Sequence, residues 1–140
     1  MALAKKRILA ADDDATALSA LRQILAQRGY EVTTAGSGEE ALRIAALQEF
    51  DLFILDVTMP GVTGLDVCKQ LRQDPRSENT PVIFLTAKGM IGDMMQGREA
   101  GSDLYLVKPV LGSKILSMVG MFLSSEVPLA KKAKADRNRS

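Results

Sequence analysis

The sequence predicts an α/β fold built on a doubly wound parallel sheet, and three observations carry that prediction. Five short apolar runs recur along the chain, each separated from the next by a stretch with helical spacing. Two of the runs, Leu52-Phe53-Ile54-Leu55 and Val82-Ile83-Phe84-Leu85, are apolar at every position. Parallel strands covered by helices on both faces require that pattern, whereas strands exposed on one side alternate. Finally, 140 residues with 46% hydrophobic content suffice for one buried core. Strict βα alternation implies right-handed crossovers, with ligands beyond the carboxyl ends of the strands.

Taken in order, the first strand is Arg7 to Ala11, and the first helix runs from Ala15 to Arg28 with Leu18, Leu21 and Leu25 on one face. Gly29 stands where a left-handed C-terminal cap belongs. The second strand is Tyr30 to Ala35. Ser37 and Glu40 then have the spacing of a capping box, which opens the second helix. The third strand is Asp51 to Val57, and a third helix follows Gly64. After the Asp74 to Pro81 loop comes the fourth strand, Val82 to Ala87. A fourth helix from Met90 to Ala100 is weakened by Gly92 and Gly97. The fifth strand is Leu104 to Val107 and the last helix Ser113 to Ser124. The chain therefore divides into a domain over residues 1–124 and a small, polar, basic stretch over 125–140. Lys131, Lys132, Lys134, Arg137 and Arg139 lie in that stretch, which reads as a disordered tail or a linker.

Composition excludes several chemistries. Eighteen Lys and Arg stand against 17 Asp and Glu, and a net charge of +1 gives no overall field for nucleic acid or an anionic membrane surface. With no histidine, the usual general base and most zinc sites are absent. The single cysteine, Cys68, lies in a helical pattern with Leu65 and Leu71 and reads as a packing residue. No apolar run reaches the length of a membrane span, and Met1 to Arg7 leads into a strand rather than a signal-peptide core. A cytoplasmic protein with no membrane contact and no direct nucleic acid binding is expected.

Polar residues ending apolar strands carry the functional signal. Asp12, Asp13 and Asp14 leave the first strand, Asp56 the third, Thr86 the fourth and Lys108 the fifth, so one rim of a parallel sheet gathers them. Two carboxylates ~5 Å apart repel by roughly 3 kcal/mol at an effective dielectric of ~20, and a cluster of three calls for a cation. With oxygen donors alone the ion is a hard one, and Mg²⁺ is the expected cofactor. Lys108 adds a positive charge and Thr86 a hydroxyl donor, the groups that hold the oxygens of a phosphoryl group in transfer. Asp56 is then the carboxylate nucleophile. Each residue also has a plain reading. Asp14 suits a helix cap, Lys108 a solvated lysine, Thr86 a hydroxyl bonding the backbone at a strand end, and Tyr105 packing on an edge strand. The set, rather than any member, favours the chemistry.

Four motifs resemble those of response-regulator receiver domains of the CheY-like superfamily. They are Ile8-Leu9-Ala10-Ala11-Asp12-Asp13-Asp14, Leu55-Asp56-Val57-Thr58-Met59-Pro60-Gly61, Leu85-Thr86-Ala87-Lys88-Gly89 and Tyr105-Leu106-Val107-Lys108-Pro109, and the resemblance covers Lys6 to Leu123. It implies a flavodoxin-like (βα)5 fold with strand order 2-1-3-4-5. It implies that Asp12, Asp13 and the Thr58 carbonyl join Asp56 around Mg²⁺, that Asp56 is phosphorylated, and that Thr86 and Lys108 contact the phosphoryl group. The implied donor is a sensor histidine kinase or a histidine phosphotransfer protein. The implied switch pairs Thr86 with Tyr105 and alters a partner-binding face on the fourth helix, fifth strand and fifth helix. Such a domain is a phosphorylation switch with self-assisted phosphotransfer and dephosphorylation, not a turnover enzyme.

Departures from the family pattern are Thr63 where an acid is frequent, Leu104 where Asp or Gly is frequent, and Val110 where Phe is frequent. These bear on partner preference, as do Met90, Met94 and Met95, while Thr58 and Lys88 bear on phosphate lifetime. Two other readings stand beside the switch. One is a phosphorylation-independent interaction module of the same fold. The other parses Asp12-Asp13-Asp14-Ala15-Thr16 as the nucleophile motif of a haloacid dehalogenase-like phosphatase, with Asp12 attacking.

Overall fold

Runs of Ile, Leu, Val and Phe too short for helices form the five strands of one parallel sheet: β1 (Arg7–Ala11), β2 (Glu31–Ala35), β3 (Leu52–Asp56), β4 (Val82–Thr86) and β5 (Leu104–Val107). Their order is β2-β1-β3-β4-β5. Four helices are assigned among the described residues: α1 (Ala15–Gln27), α2 (Gly38–Leu47), α3 (Gly64–Gln73) and α4 (Gly112–Leu123). This computed structural model describes residues 5–87, 101 and 103–123. The expected Met90 to Ala100 helix and the 125–140 tail lie outside them.

Burial follows strand position. β3 and β4 are buried at all five positions, whereas the edge strands β2 and β5 are largely half-exposed. The sheet separates two apolar clusters. Ile8, Ala10, Leu52, Ile54, Ile83 and Leu85 pack with Leu18, Leu21 and Leu25 of α1 and Ile115 and Val119 of α4. On the other face, Leu9, Phe53, Leu55 and Phe84 meet Ala41 of α2 and Val67, Cys68 and Leu71 of α3.

Helix ends match the sequence with one exchange of partners. Asp14 caps α1, its carboxylate accepting from the Thr16 and Ala17 N–H groups, and Gly29 takes a φ of +96° just past the helix. Ser37 accepts from the Glu40 N–H, but the Glu40 carboxylate accepts from the Gly36 N–H, so the expected capping box is not closed on Ser37. A complete box occurs at α3 instead, where Thr63 and Asp66 bond each other's N–H groups.

Away from the carboxyl rim, Arg72 of α3 ties the start of β4 to the start of β5. Its guanidinium donates to the Gly101, Ser77 and Thr80 carbonyls at 2.9, 3.0 and 2.7 Å, and to Asp103 Oδ2 at 3.0 Å. Asp103 Oδ2 also accepts from the Val82 N–H at 2.9 Å. A cation in this partly buried place needs all those acceptors.

Candidate phosphoryl-transfer site

Register brings the strand ends to one place. Ala11 pairs with Leu55, Asp56 with Leu85 and Thr86 with Val107, so the residues just beyond each pair share one rim. Asp12, Asp13 and Asp56 each offer a carboxylate oxygen, and these oxygens lie within 4.8 Å of one another. Asp12 and Asp56 are each only 3% exposed, while Asp13 faces solvent. The Lys108 ammonium reaches both buried acids, with Nζ 2.8 Å from Asp12 Oδ2 and 3.1 Å from Asp56 Oδ2.

The remaining oxygens are also engaged. Asp12 Oδ1 accepts from the Asp14 N–H at 2.9 Å, and Asp56 Oδ1 accepts from the Thr58 N–H at 3.0 Å and its hydroxyl at 3.3 Å. Gly64 lets α3 start close to this end of β3. A Cβ there would stand 2.2 Å from the Asp56 carbonyl oxygen, so no larger residue fits without movement.

The surroundings shift the two buried acids in opposite directions. Burial raises the Asp12 carboxyl and neighbouring Asp56 adds to this, outweighing Lys108 and the Asp14 N–H. Burial pushes Asp56 the same way, but the Thr58 N–H, Asp12 and Lys108 together hold it below the usual carboxylate value. Burial also opposes the Lys108 charge, yet bonds to Asp12 and Asp56 raise it above an ordinary lysine. The N–H groups and the ammonium thus favour the carboxylate form of Asp56, the form a nucleophile needs.

Thr86 ends β4 only 1% exposed, and its Oγ1 has no hydrogen-bond partner among the described residues. Tyr105, half-buried on β5, sets its ring edge-on to Phe84 with centroids 6.0 Å apart and planes at 84°. Cys68 is buried and its thiol is pushed up to about 11, chiefly by that burial, in keeping with a packing role. Lys88 and the three Met residues at 90, 94 and 95 lie outside the described residues. Sequence reading missed the donation of the Thr58 hydroxyl to Asp56, although an Asp-x-Thr spacing is a recognisable signal for such a local bond.

The donor set suits a hard divalent cation: three carboxylates, all oxygen, two of them buried and one open to water. No helix among the described residues is long and apolar enough to cross a membrane.

A doubly wound five-stranded sheet with an acid cluster and a lysine at its carboxyl rim defines a receiver-type signalling module. The chain belongs to the response regulator receiver domain family, whose model matches residues 8–120, and so to two-component signalling. It is 44% identical over 109 residues to the probable transcriptional regulator ycf27 of Cyanophora paradoxa, covering 78% of this chain and 44% of that protein. The chain spans about half the length of the curated relatives it matches.

Among solved structures, chemotaxis protein CheY4 of Vibrio cholerae superposes with a TM-score of 0.82 at 33% identity, covering 86% of this chain and all of that one. The receiver domain of sensor histidine kinase PA1611 from Pseudomonas aeruginosa, described with a magnesium ion coordinated in its active-site cleft, gives a TM-score of 0.80 at 27% identity. That match covers 87% of this chain and 100% of that one. Family membership and the (βα)5-type strand order remove the phosphatase parse of Asp12 to Thr16, in which Asp14 is instead a helix cap.

Proposed function

We propose that this domain is a signalling switch that accepts a phosphoryl group on Asp56 from a histidine kinase or histidine phosphotransfer protein. The observation carrying this reading is the Lys108 ammonium held between two buried carboxylates, Asp12 and Asp56, at the ends of neighbouring strands. Asp56 attacks phosphorus, the bond from phosphorus to the donor's nitrogen or oxygen breaks, and the leaving group departs with the electron pair. Lys108 is already beside the attacking carboxylate and neutralises an incoming phosphoryl oxygen. Thr86 supplies a hydroxyl that no described residue bonds.

Asp12, Asp13, Asp56 and the Thr58 carbonyl are the residues that would hold Mg²⁺, which when bound supplies charge neutralisation at the phosphoryl oxygens. The expected switch follows from the same inventory. Once Thr86 bonds the phosphoryl group, the space beside it opens to the Tyr105 ring. The altered surface, which includes the exposed Val107 of β5, meets a downstream protein. A cytoplasmic location accords with this role.

Incubation with acetyl phosphate and Mg²⁺ adds one phosphate by intact mass, and Asp56→Asn abolishes the addition. Undiminished labelling of that variant refutes the assignment.

A further inference from the structure

The loop from Val57 to Thr63 carries the Thr58 carbonyl and is held at both ends. At its start the Val57 N–H donates to the Leu85 carbonyl at 3.0 Å, and the Val57 carbonyl accepts from the Gly64 N–H at 3.2 Å. Thr58 follows, its N–H bonded to Asp56 Oδ1, and then the buried Met59. At the far end the Val62 carbonyl lies against Gly38, the first residue of α2 and itself buried. A Cβ on Gly38 would stand 2.1 Å from the Val62 oxygen and 2.9 Å from Val62 Cβ, nearer than the 3.0 Å that a real Cβ keeps. The turn presenting Gly38 is fixed in its own right. Ser37 Oγ accepts from the Glu40 N–H at 3.1 Å, and the Ser37 carbonyl accepts from the Ala41 N–H at 3.0 Å. The start of α2 is thus a wall at the back of the loop, and only a residue without a side chain lets it stand so close.

We propose that Gly38 is a positioning residue for the metal: by letting α2 close on Val62 it stiffens the loop around Thr58, and so favours Mg²⁺ over Ca²⁺. The inference rests on the reading of Asp12, Asp13, Asp56 and the Thr58 carbonyl as metal ligands. Carboxylates adjust by turning about side-chain bonds, whereas a carbonyl moves only with its backbone. Mg²⁺ takes ligands at about 2.0–2.1 Å in near-ideal octahedral geometry, while Ca²⁺ accepts about 2.3–2.6 Å and a variable ligand number. A methyl group on Gly38 drives itself and the Val62 oxygen apart by roughly 1 Å. A fraction of that movement, passed back along the loop to Thr58, exceeds the roughly 0.2 Å within which metal–ligand distances hold. Mg²⁺ suffers from such a shift and Ca²⁺ absorbs it. Within α2 itself the substitution carries no penalty, because Ala is the better helix former.

Dissociation constants for Mg²⁺ and Ca²⁺ are measured by isothermal titration calorimetry on the full unphosphorylated chain, on Gly38→Ala and on Ser37→Ala, with circular dichroism to show folding. Ser37→Ala removes the cap that fixes the first turn of α2 without placing an atom near Val62. In Gly38→Ala the Mg²⁺ constant is expected to rise roughly tenfold, as for other residues that support a metal ligand, while the Ca²⁺ constant stays within about threefold. In Ser37→Ala the Mg²⁺ constant is expected to rise about threefold with Ca²⁺ unchanged. Loss of stability alone leaves the ratio of the two constants where it was. An unchanged ratio in folded Gly38→Ala, or in Ser37→Ala where Gly38→Ala does not fold, overturns the positioning role. Failure of the unmutated chain to bind Mg²⁺ overturns the metal reading instead.

Discussion

Thr86 brings a hydroxyl into a buried place where nothing among the described residues bonds it. An unsatisfied buried polar group costs about 1–3 kcal/mol, so Thr86→Val, which keeps the shape and removes the hydroxyl, stabilises the unphosphorylated domain by about 1 kcal/mol in urea unfolding. The same variant loses a donor to the phosphoryl group. Cys68 gives a second test. Its thiol ionises at about 11 in the fold against 9.0 for the free group. The raised value means the associated stability is complete below pH 9.0 and is lost as pH climbs towards 11, because the unfolded chain gives up its proton first. Urea unfolding at pH 8 and pH 10.5 measures this loss, and Cys68→Ala reduces it. The site acids were legible because a charge ending an apolar strand is conspicuous in sequence. The opposite shifts of Asp12 and Asp56 were not, since they depend on which N–H groups and which ammonium each oxygen meets.

Elements were readable where one local signal decided them. Continuous apolar runs gave β3 and β4, and Gly29 marked the end of α1. Side chains with several acceptors in reach were not readable. Glu40 chose the Gly36 N–H over that of Ser37, and Thr63, expected only as a departure from an acidic residue, closes a capping box with Asp66. Arg72 looks in sequence like any solvated helix cation, and its partner Asp103 lies 31 positions away. The junction of α3 with β3 yields a prediction. Gly64→Ala puts a carbon 2.2 Å from the Asp56 carbonyl oxygen, and backbone cannot yield as a flexible side chain does. The expected cost is about 1–3 kcal/mol or more, read from urea unfolding, with slower phosphate incorporation as Asp56 is displaced.

At the scale of the molecule, the acid cluster sets like charges against the fold's preference for neutral interiors, and a bound cation relieves that conflict. A ligand present at 100 times its dissociation constant stabilises the folded state by about 2.7 kcal/mol. Mg²⁺ therefore raises the thermal midpoint, a chelator reverses the rise, and Asp13→Asn diminishes it. Asp13 is the apt probe because it faces solvent, so its replacement leaves the core intact. No change of midpoint with Mg²⁺ would remove the metal assignment.

β5 is moored at both ends by charge. Arg72 and Asp103 hold its entry, and Lys108, just past its exit, is drawn between Asp12 and Asp56. Only the exit mooring touches the proposed chemistry. A phosphoryl group at Asp56, as proposed, would therefore haul the exit rope in towards its own oxygens while the entry stays fixed, and the strand would swing about its entry rather than drift bodily. On that proposal displacement would grow along β5 towards Val107, and the message would be loudest at the strand's exposed, solvent-facing end.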